Sequence, residues 1–253
     1  MITRKHVFWI LTVAAVCLLV SSCATCERKS APAGFVHVSE AVPDAILEIR
    51  YHSTYNFTGD RIDGYEQPTA LLTVEAAQAL KAVSDDVKAQ GYRLKIYDAY
   101  RPLRAVNHFI RWAKKTNDTR MKAYFYPDLD KSLLVPRGYI AEKSGHSRGS
   151  AVDLTLFDMN TEKEADMGGT FDWFGRESQP DWCGDPETGR YTGDFPGNTP
   201  PTGRKINEVQ FRNRMLLRKA MMRHGFKPIA EEWWHFTLSN EPYPDTYFDH
   251  PVR

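Results

Sequence analysis

The chain has 253 residues, of which 42% are hydrophobic and 26% charged, a composition ordinary for a folded globular protein of one or two domains. Its 33 basic and 32 acidic residues leave a net charge of +1. A chain so nearly neutral has no strong field with which to attract nucleic acid or an anionic membrane surface. We therefore expect no nucleic acid partner and no electrostatic binding to a membrane.

The first 22 residues have the pattern of an export signal. Basic Arg4 and Lys5 precede an apolar run over 7–20, whose fourteen residues are too few to cross a bilayer, which needs about 20. The small residues directly before Cys23 resemble a bacterial lipobox, in which the chain is cut before the cysteine and its thiol carries diacylglycerol. The sequence therefore predicts a lipoprotein signal peptide over 1–22 and lipidation of Cys23, with a plain signal peptide as the alternative.

The residues after Cys23 bear on where the protein would be held. The stretch 23–34 is small, polar and Pro-containing, as in a tether, and the folded domain is expected over 35–253. Ala24 follows the cysteine, which by likeness to other lipoproteins favours the outer membrane. We expect an exported protein anchored by lipid at the periplasmic face of the cell envelope. An oxidising compartment would allow Cys26 and Cys183 to pair, which the sequence leaves open.

Local patterns predict a mixture of helices and strands. Thr73 suits the N-cap of a helix reaching about Gln90, because apolar residues recur at three- and four-residue steps before Gly91. Further predicted elements are strands over 45–51, 92–98, 151–157 and 226–238, a helix from Pro102, a helix over 208–224, and a long surface loop over 177–205. This order lacks regular βαβ spacing and predicts a single α+β domain with a central, mainly antiparallel sheet flanked by helices.

Three side chains are candidate metal ligands. His146 precedes a predicted strand, and Asp153 lies within it on the face opposite its apolar residues. His235 lies in an aromatic-rich segment near the C-terminus. Two histidines and an aspartate form a zinc set with one position left open, and their donor atoms suit zinc better than calcium or magnesium. Each residue alone is more often structural or solvated, and the sequence has no HExxH signature.

Glu232, three residues before His235, is the candidate proton carrier. A carboxylate beside an activated water can take its proton and pass it to a leaving amine. In a regular strand these two side chains would point to opposite faces, so a bend or bulge is expected between them, at the pair of tryptophans.

Several separated motifs resemble those of the D-Ala-D-Ala dipeptidases and the related DD-carboxypeptidases. The segment 144–153, SGHSRGSAVD, resembles their SxHxxGxAxD signature, and 232–235, EWWH, resembles their ExxH element. The segment 97–102, YDAYRP, is similar to the one that supplies the family's catalytic arginine, and 167–172, MGGTFD, is similar to a loop of the family. The likeness runs from about residue 36 to the C-terminus, so the chain is identified as a member of this family.

The resemblance implies a catalytic centre with one zinc ion per chain. His146, Asp153 and His235 would hold the ion in a cleft on the sheet. Glu232 would act as general base and then as general acid. Arg101 would stabilise the oxyanion, a role that suits the permanent charge and forked donors of a guanidinium group.

The same resemblance implies a restricted substrate. Tyr51, Ser144 and Asp172 would hold the free ammonium group, and binding at both ends would admit dipeptides alone. The D-configuration follows from the resemblance only. The predicted activity is zinc-dependent hydrolysis of D-Ala-D-Ala, or of a similar small cell-wall-derived dipeptide, to free amino acids. The dipeptide is the expected partner, and no protein partner is predicted.

Two other functions stay open on the sequence. A zinc DD-carboxypeptidase acting on longer peptidoglycan peptides would use the same metal set in a wider cleft. Dependence on a free substrate amine separates the two activities. A wall-binding lipoprotein without activity would need neither Glu232 nor Arg101, so their presence counts against it. Export favours trimming or scavenging of wall-derived dipeptides over destruction of D-Ala-D-Ala in the cytoplasm.

Overall fold

The computed structural model describes residues 30–195 and 204–253. The predicted signal peptide over 1–22, the lipidation site Cys23, Cys26 and most of the predicted tether lie outside the described residues. Within the described part of the chain, no helix is both long enough and apolar enough to span a bilayer.

Short strands and a few longer helices make up the described chain. The strands are β1 (Phe35–His37), β2 (Ile46–Leu47), β3 (Leu71–Thr73), β4 (Tyr92–Asp98), β5 (Ala151–Asp158), β6 (Lys163–Glu164), β7 (Gly184–Asp185), β8 (Arg190–Tyr191), β9 (Phe226–Pro228) and β10 (His235–Leu238). The helices are α1 (Val38–Ala41), α2 (Val74–Lys88), α3 (Leu103–Lys114), α4 (Lys122–Phe125) and α5 (Glu208–Arg223).

The central sheet is built on β4 and β5. Its strand order is β2-β4-β5-β10-β9, with β6 pairing along the far end of β5, and only the β2–β4 pair is parallel. Helix α2 packs on β4, and α5 packs on β5 and β9. The predicted α+β fold, with a central and mainly antiparallel sheet flanked by helices, is confirmed.

The two faces of β5 differ in chemistry. Val152, Leu154 and Leu156 are fully buried on one face and belong to the main core, together with buried apolar residues of α2 and α5. Successive strand residues point to opposite sides, so Asp153 and Thr155 face the other way. Both are nonetheless buried. An acid on that second face is therefore aimed into the protein, not into solvent.

Helix α2 shows how local sequence sets its own boundaries. The Thr73 hydroxyl accepts a hydrogen bond from the Ala76 amide at 3.4 Å and caps the first turn, as predicted. The helix ends at Lys88, and Gly91 turns the chain into β4 with a φ of +88°, a conformation that glycine adopts at little cost.

Two predicted strands are wrong in extent. The strand predicted over 45–51 is limited to β2, and a 3₁₀ helix, Arg50–His52, follows it. The strand predicted over 226–238 is a hairpin of β9 and β10, joined by a turn.

The predicted surface loop over 177–205 is irregular for most of its described part, but it departs from a plain surface loop in two respects. It contains the small hairpin of β7 and β8, and its Trp182 and Cys183 are fully buried. These two side chains pack with one apolar residue just before α5 and with apolar residues of that helix to form a second, smaller cluster. Its buried members are Trp182, Cys183, Ile206, Phe211 and Met215. We refer to it below as the Trp182 cluster.

Candidate active site

The three candidate metal ligands come from two paired strands and one short helix. His235 at the start of β10 lies opposite Asp153 of β5 in the antiparallel register. His146 lies in a 3₁₀ helix, Gly145–Arg148, directly before β5. Strand pairing thus brings together residues that are 82 positions apart in the chain.

The donor atoms of these side chains converge on one point. His235 Nδ1 lies 3.0 Å from Asp153 Oδ1 and 3.0 Å from His146 Nε2, and His146 Nε2 lies 3.2 Å from Asp153 Oδ2. Each residue offers one ligand atom, and these three atoms all lie within 4.8 Å of one another. That spacing fits a single ion bound at about 2 Å, and the nitrogen and carboxylate donors suit zinc.

Each histidine has a partner on its other ring nitrogen. His146 Nδ1 donates to the Ala99 carbonyl oxygen at 2.7 Å, and Nε2 is directed at the site. His235 Nε2 lies 3.1 Å from the Thr237 hydroxyl, leaving Nδ1 toward the site. Such outer hydrogen bonds fix the orientation and tautomer of a metal-binding imidazole.

Asp153 is charged in this setting. Burial alone would raise its pKa, but His146 and His235 outweigh that effect and hold the pKa well below its ordinary value. The site therefore offers one carboxylate and two imidazole nitrogens. This donor set matches an open zinc site with three protein ligands.

Glu232 lies in the turn between β9 and β10, next to the metal-ligand group. Its Oε2 is 3.9 Å from His235 Nδ1, and 31% of its side-chain surface is exposed. A turn through Trp233 and Trp234, and not a bulge within a continuous strand, brings the carboxylate beside His235. Burial under neighbouring protein raises the pKa of Glu232 to about 7, against the opposing charge of His235. Such a carboxyl can take up and release a proton near neutral pH.

Arg101 borders the same group from the segment that follows β4. Its Nη2 lies 3.4 Å from Asp153 Oδ2, and its Nε donates to Asp98 Oδ2 at 2.8 Å. The guanidinium carbon sits 4.9 Å from the ring centroid of Tyr51 and 5.3 Å from that of Phe109. The charge is thereby placed at the edge of the metal-ligand group, against aromatic faces.

Tyr51 and Asp172 form a buried pair next to Arg101. The Tyr51 hydroxyl lies 3.1 and 3.0 Å from the two oxygens of Asp172 and donates to that carboxyl group. Asp172 has a left-handed φ of +62°, unusual for a residue other than glycine. Burial raises the pKa of Asp172 well above its ordinary value, against the opposing charge of Arg101. A ligand ammonium group would compensate a negative charge at this place.

Ser144 is the one predicted substrate residue whose visible contact is local. Its hydroxyl accepts a hydrogen bond from the His146 amide at 3.3 Å and caps the 3₁₀ helix that presents His146. Its side chain thus orients the backbone of a metal-ligand segment. Contact with a substrate amine stays a prediction.

The sequence reasoning did not assign roles to three polar groups that the site uses. They are the Asp98 carboxylate, the Ala99 carbonyl and the Thr237 hydroxyl, each bonded to a predicted site residue. Asp98 and Ala99 lie inside the segment that resembles the family's arginine motif, so their neighbourhood was already indicated. Thr237 could have been found from its position two residues after His235 on the same strand face.

Comparisons with known proteins identify the family of this chain. The Peptidase M15 family model, described as D-ala-D-ala dipeptidase, matches residues 31–189 and 199–253. A D-alanyl-D-alanine dipeptidase of Enterococcus faecium is 37% identical over 220 residues, which cover 87% of this chain and 98% of that protein.

Two further relatives carry the same name. The D-alanyl-D-alanine dipeptidase of Streptomyces coelicolor is 37% identical over 218 residues, covering 86% of this chain and 98% of that protein. The one of Escherichia coli is 32% identical over 203 residues, covering 80% of this chain and 83% of that protein. The family predicted from the motifs is confirmed: this chain belongs to the D-Ala-D-Ala dipeptidase family of peptidases.

Proposed function

We propose that this protein is a zinc-dependent dipeptidase that hydrolyses D-Ala-D-Ala, or a similar small cell-wall-derived dipeptide, to free amino acids. Membership of the family supports the reaction class. The observation that carries the proposal is the convergence of the donor atoms of His146, Asp153 and His235, with Glu232 at 3.9 Å from His235. Metal binding alone would not need a carboxylate placed there.

The three donors of the metal-ligand group would hold the zinc ion. When bound, zinc supplies Lewis acidity, which polarises a carbonyl oxygen and lowers the pKa of water to roughly 7. Ala99 and Thr237 keep the two imidazole rings in the orientation that such binding requires.

Glu232 carries the proton in the proposed mechanism. It accepts a proton from the water whose oxygen forms the new bond to the scissile carbonyl carbon. It then donates that proton to the leaving nitrogen as the C–N bond breaks. Burial raises the pKa of Glu232 in the metal-free protein, which makes its carboxylate a stronger base than an exposed glutamate.

Arg101 and the Tyr51–Asp172 pair act on the substrate. The guanidinium group donates hydrogen bonds to the negative charge that develops on the carbonyl oxygen, and its permanent charge needs no rearrangement at that moment. The Asp172 carboxylate, held by the Tyr51 hydroxyl, binds the free ammonium group. Ser144 is proposed to assist there. A site that binds substrate through its free ammonium group would exclude substrates with a blocked amine.

We also propose that the protein is exported and lipid-anchored through Cys23, most simply at the outer membrane. The basic start, the short apolar run and the small residues before the cysteine support this. Mass spectrometry of the mature N-terminus tests it. A diacylglyceryl-modified Cys23 at the N-terminus is expected, and an unmodified chain retaining residues 1–22 would refute it.

The activity is tested by zinc analysis and alanine release on one preparation. We expect one zinc per chain and release of alanine from D-Ala-D-Ala. A chelator should abolish the release, and added zinc should restore it. Turnover that survives complete removal of metal would contradict the proposed mechanism, and zinc-loaded protein without turnover would contradict the proposed activity.

A further inference from the structure

An irregularity in the β4–β5 pairing places one more acid at the site. From Tyr92 to Ile96 the two strands pair in regular register, ending at Ile96 opposite Leu154. The next pair is Asp98 opposite Asp153, so Tyr97 and Asp98 together face a single residue of β5. This is a β-bulge, which redirects the side chains that follow it. Without the extra residue, Tyr97 and not Asp98 would lie opposite the metal ligand.

The Asp98 carboxylate is fully buried and has a partner on each oxygen. Oδ2 accepts the Arg101 Nε hydrogen bond at 2.8 Å, and Oδ1 accepts the Tyr65 hydroxyl at 2.6 Å. Oδ2 also lies 3.6 Å from His146 Nδ1, whose proton goes to the Ala99 carbonyl. A buried carboxylate is costly unless it is paired, and Arg101 is the cation that pairs with it.

Arg101 contacts two carboxylates, those of Asp98 and Asp153. Its Nη2 lies 3.4 Å from Asp153 Oδ2, a weaker contact than its bond to Asp98. If Asp98 lost its charge, the guanidinium group would turn to the remaining carboxylate, which is a metal ligand. That movement would draw Arg101 away from the reacting carbonyl and would compete with the metal for Asp153.

We propose that Asp98 is a positioning residue, which holds Arg101 in reach of the developing oxyanion and keeps it off Asp153. The inference rests on the proposed function for the role of Arg101. The β-bulge contributes to this role, because its extra residue places Asp98 opposite Asp153. Asp98 itself touches neither the metal nor the substrate in this account.

A double-mutant cycle in the zinc-loaded full chain tests the proposal, with Asp98→Asn, Arg101→Ala and the two combined. Asp98→Asn should lower kcat about 10- to 100-fold, because a displaced catalytic group can cost about 100-fold. Its KM should change little. Arg101→Ala should lower kcat about 100-fold or more. The combined variant should be no slower than Arg101→Ala alone, because Asp98 acts through Arg101.

Zinc affinity provides a second readout that does not depend on turnover. Asp98→Asn should weaken zinc binding by about tenfold, the lower end of the effects of outer-sphere changes. In the Arg101→Ala background the same substitution should leave zinc affinity unchanged. A weakening that persists without Arg101 would mean that Asp98 acts through His146 and would overturn the proposal.

Two further variants keep the test decisive. Asp249→Asn is the matched control, because Asp249 forms an exposed ion pair with Arg104 at 3.0 Å, and it should change neither kcat nor zinc affinity. If Asp98→Asn does not fold, Tyr65→Phe can replace it, because it removes the other hydrogen bond to Asp98. Tyr65→Phe should also lower kcat, by a smaller factor than Asp98→Asn.

The outcomes separate this inference from the proposed function. A wild-type protein that does not cleave the dipeptide contradicts the proposed function, while the zinc-affinity cycle still decides the role of Asp98. A wild-type protein that cleaves it, with kcat unchanged in Asp98→Asn or with additive losses in the cycle, overturns the positioning role alone.

Discussion

Two clusters of this molecule differ in the kind of side chain that they bury. The active-site cluster buries carboxylates and an imidazole, with Asp98 at 0% exposure and His146 and Asp153 at 2%. The Trp182 cluster buries an indole, a thiol and aliphatic and aromatic side chains. Burying apolar surface stabilises a fold, whereas burying charge costs free energy unless every group is paired. The first cluster therefore serves the reaction at a cost in stability, and apolar burial elsewhere in the fold offsets that cost.

The comparison predicts that changes in the first cluster alter activity and that changes in the second alter stability. The largest effect is expected for His146→Ala. This variant should lose zinc and fall to background alanine release, because one of three ligands is gone. Elemental analysis and the alanine assay measure both quantities. His224→Ala is the matched control, because His224 lies away from the site, where its Nε2 is 3.2 Å from Asp86 Oδ2. Full zinc occupancy in His146→Ala would remove this residue from the ligand set.

Glu232→Gln should keep zinc and lose turnover. Removing a group that transfers protons typically costs about 100- to 10,000-fold in rate, so kcat should fall by that range with zinc content unchanged. The neighbouring and exposed Glu231 provides the control, and Glu231→Gln should retain near-normal kcat. Normal kcat in Glu232→Gln would exclude Glu232 from the mechanism.

Thr237→Val should weaken zinc binding by about 10- to 100-fold, because the hydroxyl that orients His235 is lost. A zinc titration against a competing chelator measures the change. Thr155→Val is the control, since Thr155 is a buried threonine of the neighbouring strand whose hydroxyl has no hydrogen-bond partner among the described residues. Equal zinc affinities in the two variants would show that the Thr237 contact does not tune the metal site.

Trp182→Ala should have the smallest effect on turnover and a large one on stability. Truncating a fully buried tryptophan costs about 3–5 kcal/mol in the free energy of unfolding. The folded fraction should keep its kcat. Denaturant unfolding measures the loss, with Met222→Ala as the control, because the Met222 side chain is 45% exposed on the surface of α5. A fall in kcat of correctly folded Trp182→Ala would show that the two clusters are not independent.

Much of the fold was predictable where the information is local. The cap at Thr73, the stripe of α2 and the alternation of β4 lie within short windows, and the structure agrees with each. The turn at Glu232 was not predictable in detail, because its aromatic residues continue the apolar pattern of the flanking strands. Pairing of β10 with β5, from a distant part of the chain, decides where the strand begins.

The residues of the active site were likewise predictable where the signal is local, and not where it depends on strand pairing. The spacing of His146 and Asp153 indicated a metal site, and the position of Glu232 before His235 indicated a proton carrier. The family motifs supplied the role of Arg101. The role of Asp98 depends on a register shift between β4 and β5, which single-strand patterns do not reveal. The buried part of the segment over 177–205 was missed because its Gly and Pro content is typical of a surface loop, while burial of Trp182 depends on its packing against α5.

The proposed site requires a free dipeptide, and not a longer peptide, as its substrate. The most direct measurement is alanine release from D-Ala-D-Ala, its N-acetylated form and a longer peptide ending in D-Ala-D-Ala, each with and without a chelator. We predict chelator-sensitive cleavage of the free dipeptide alone, since the Tyr51–Asp172 pair requires an ammonium group. Efficient cleavage of the blocked or longer peptides would contradict the account and identify the protein as a DD-carboxypeptidase.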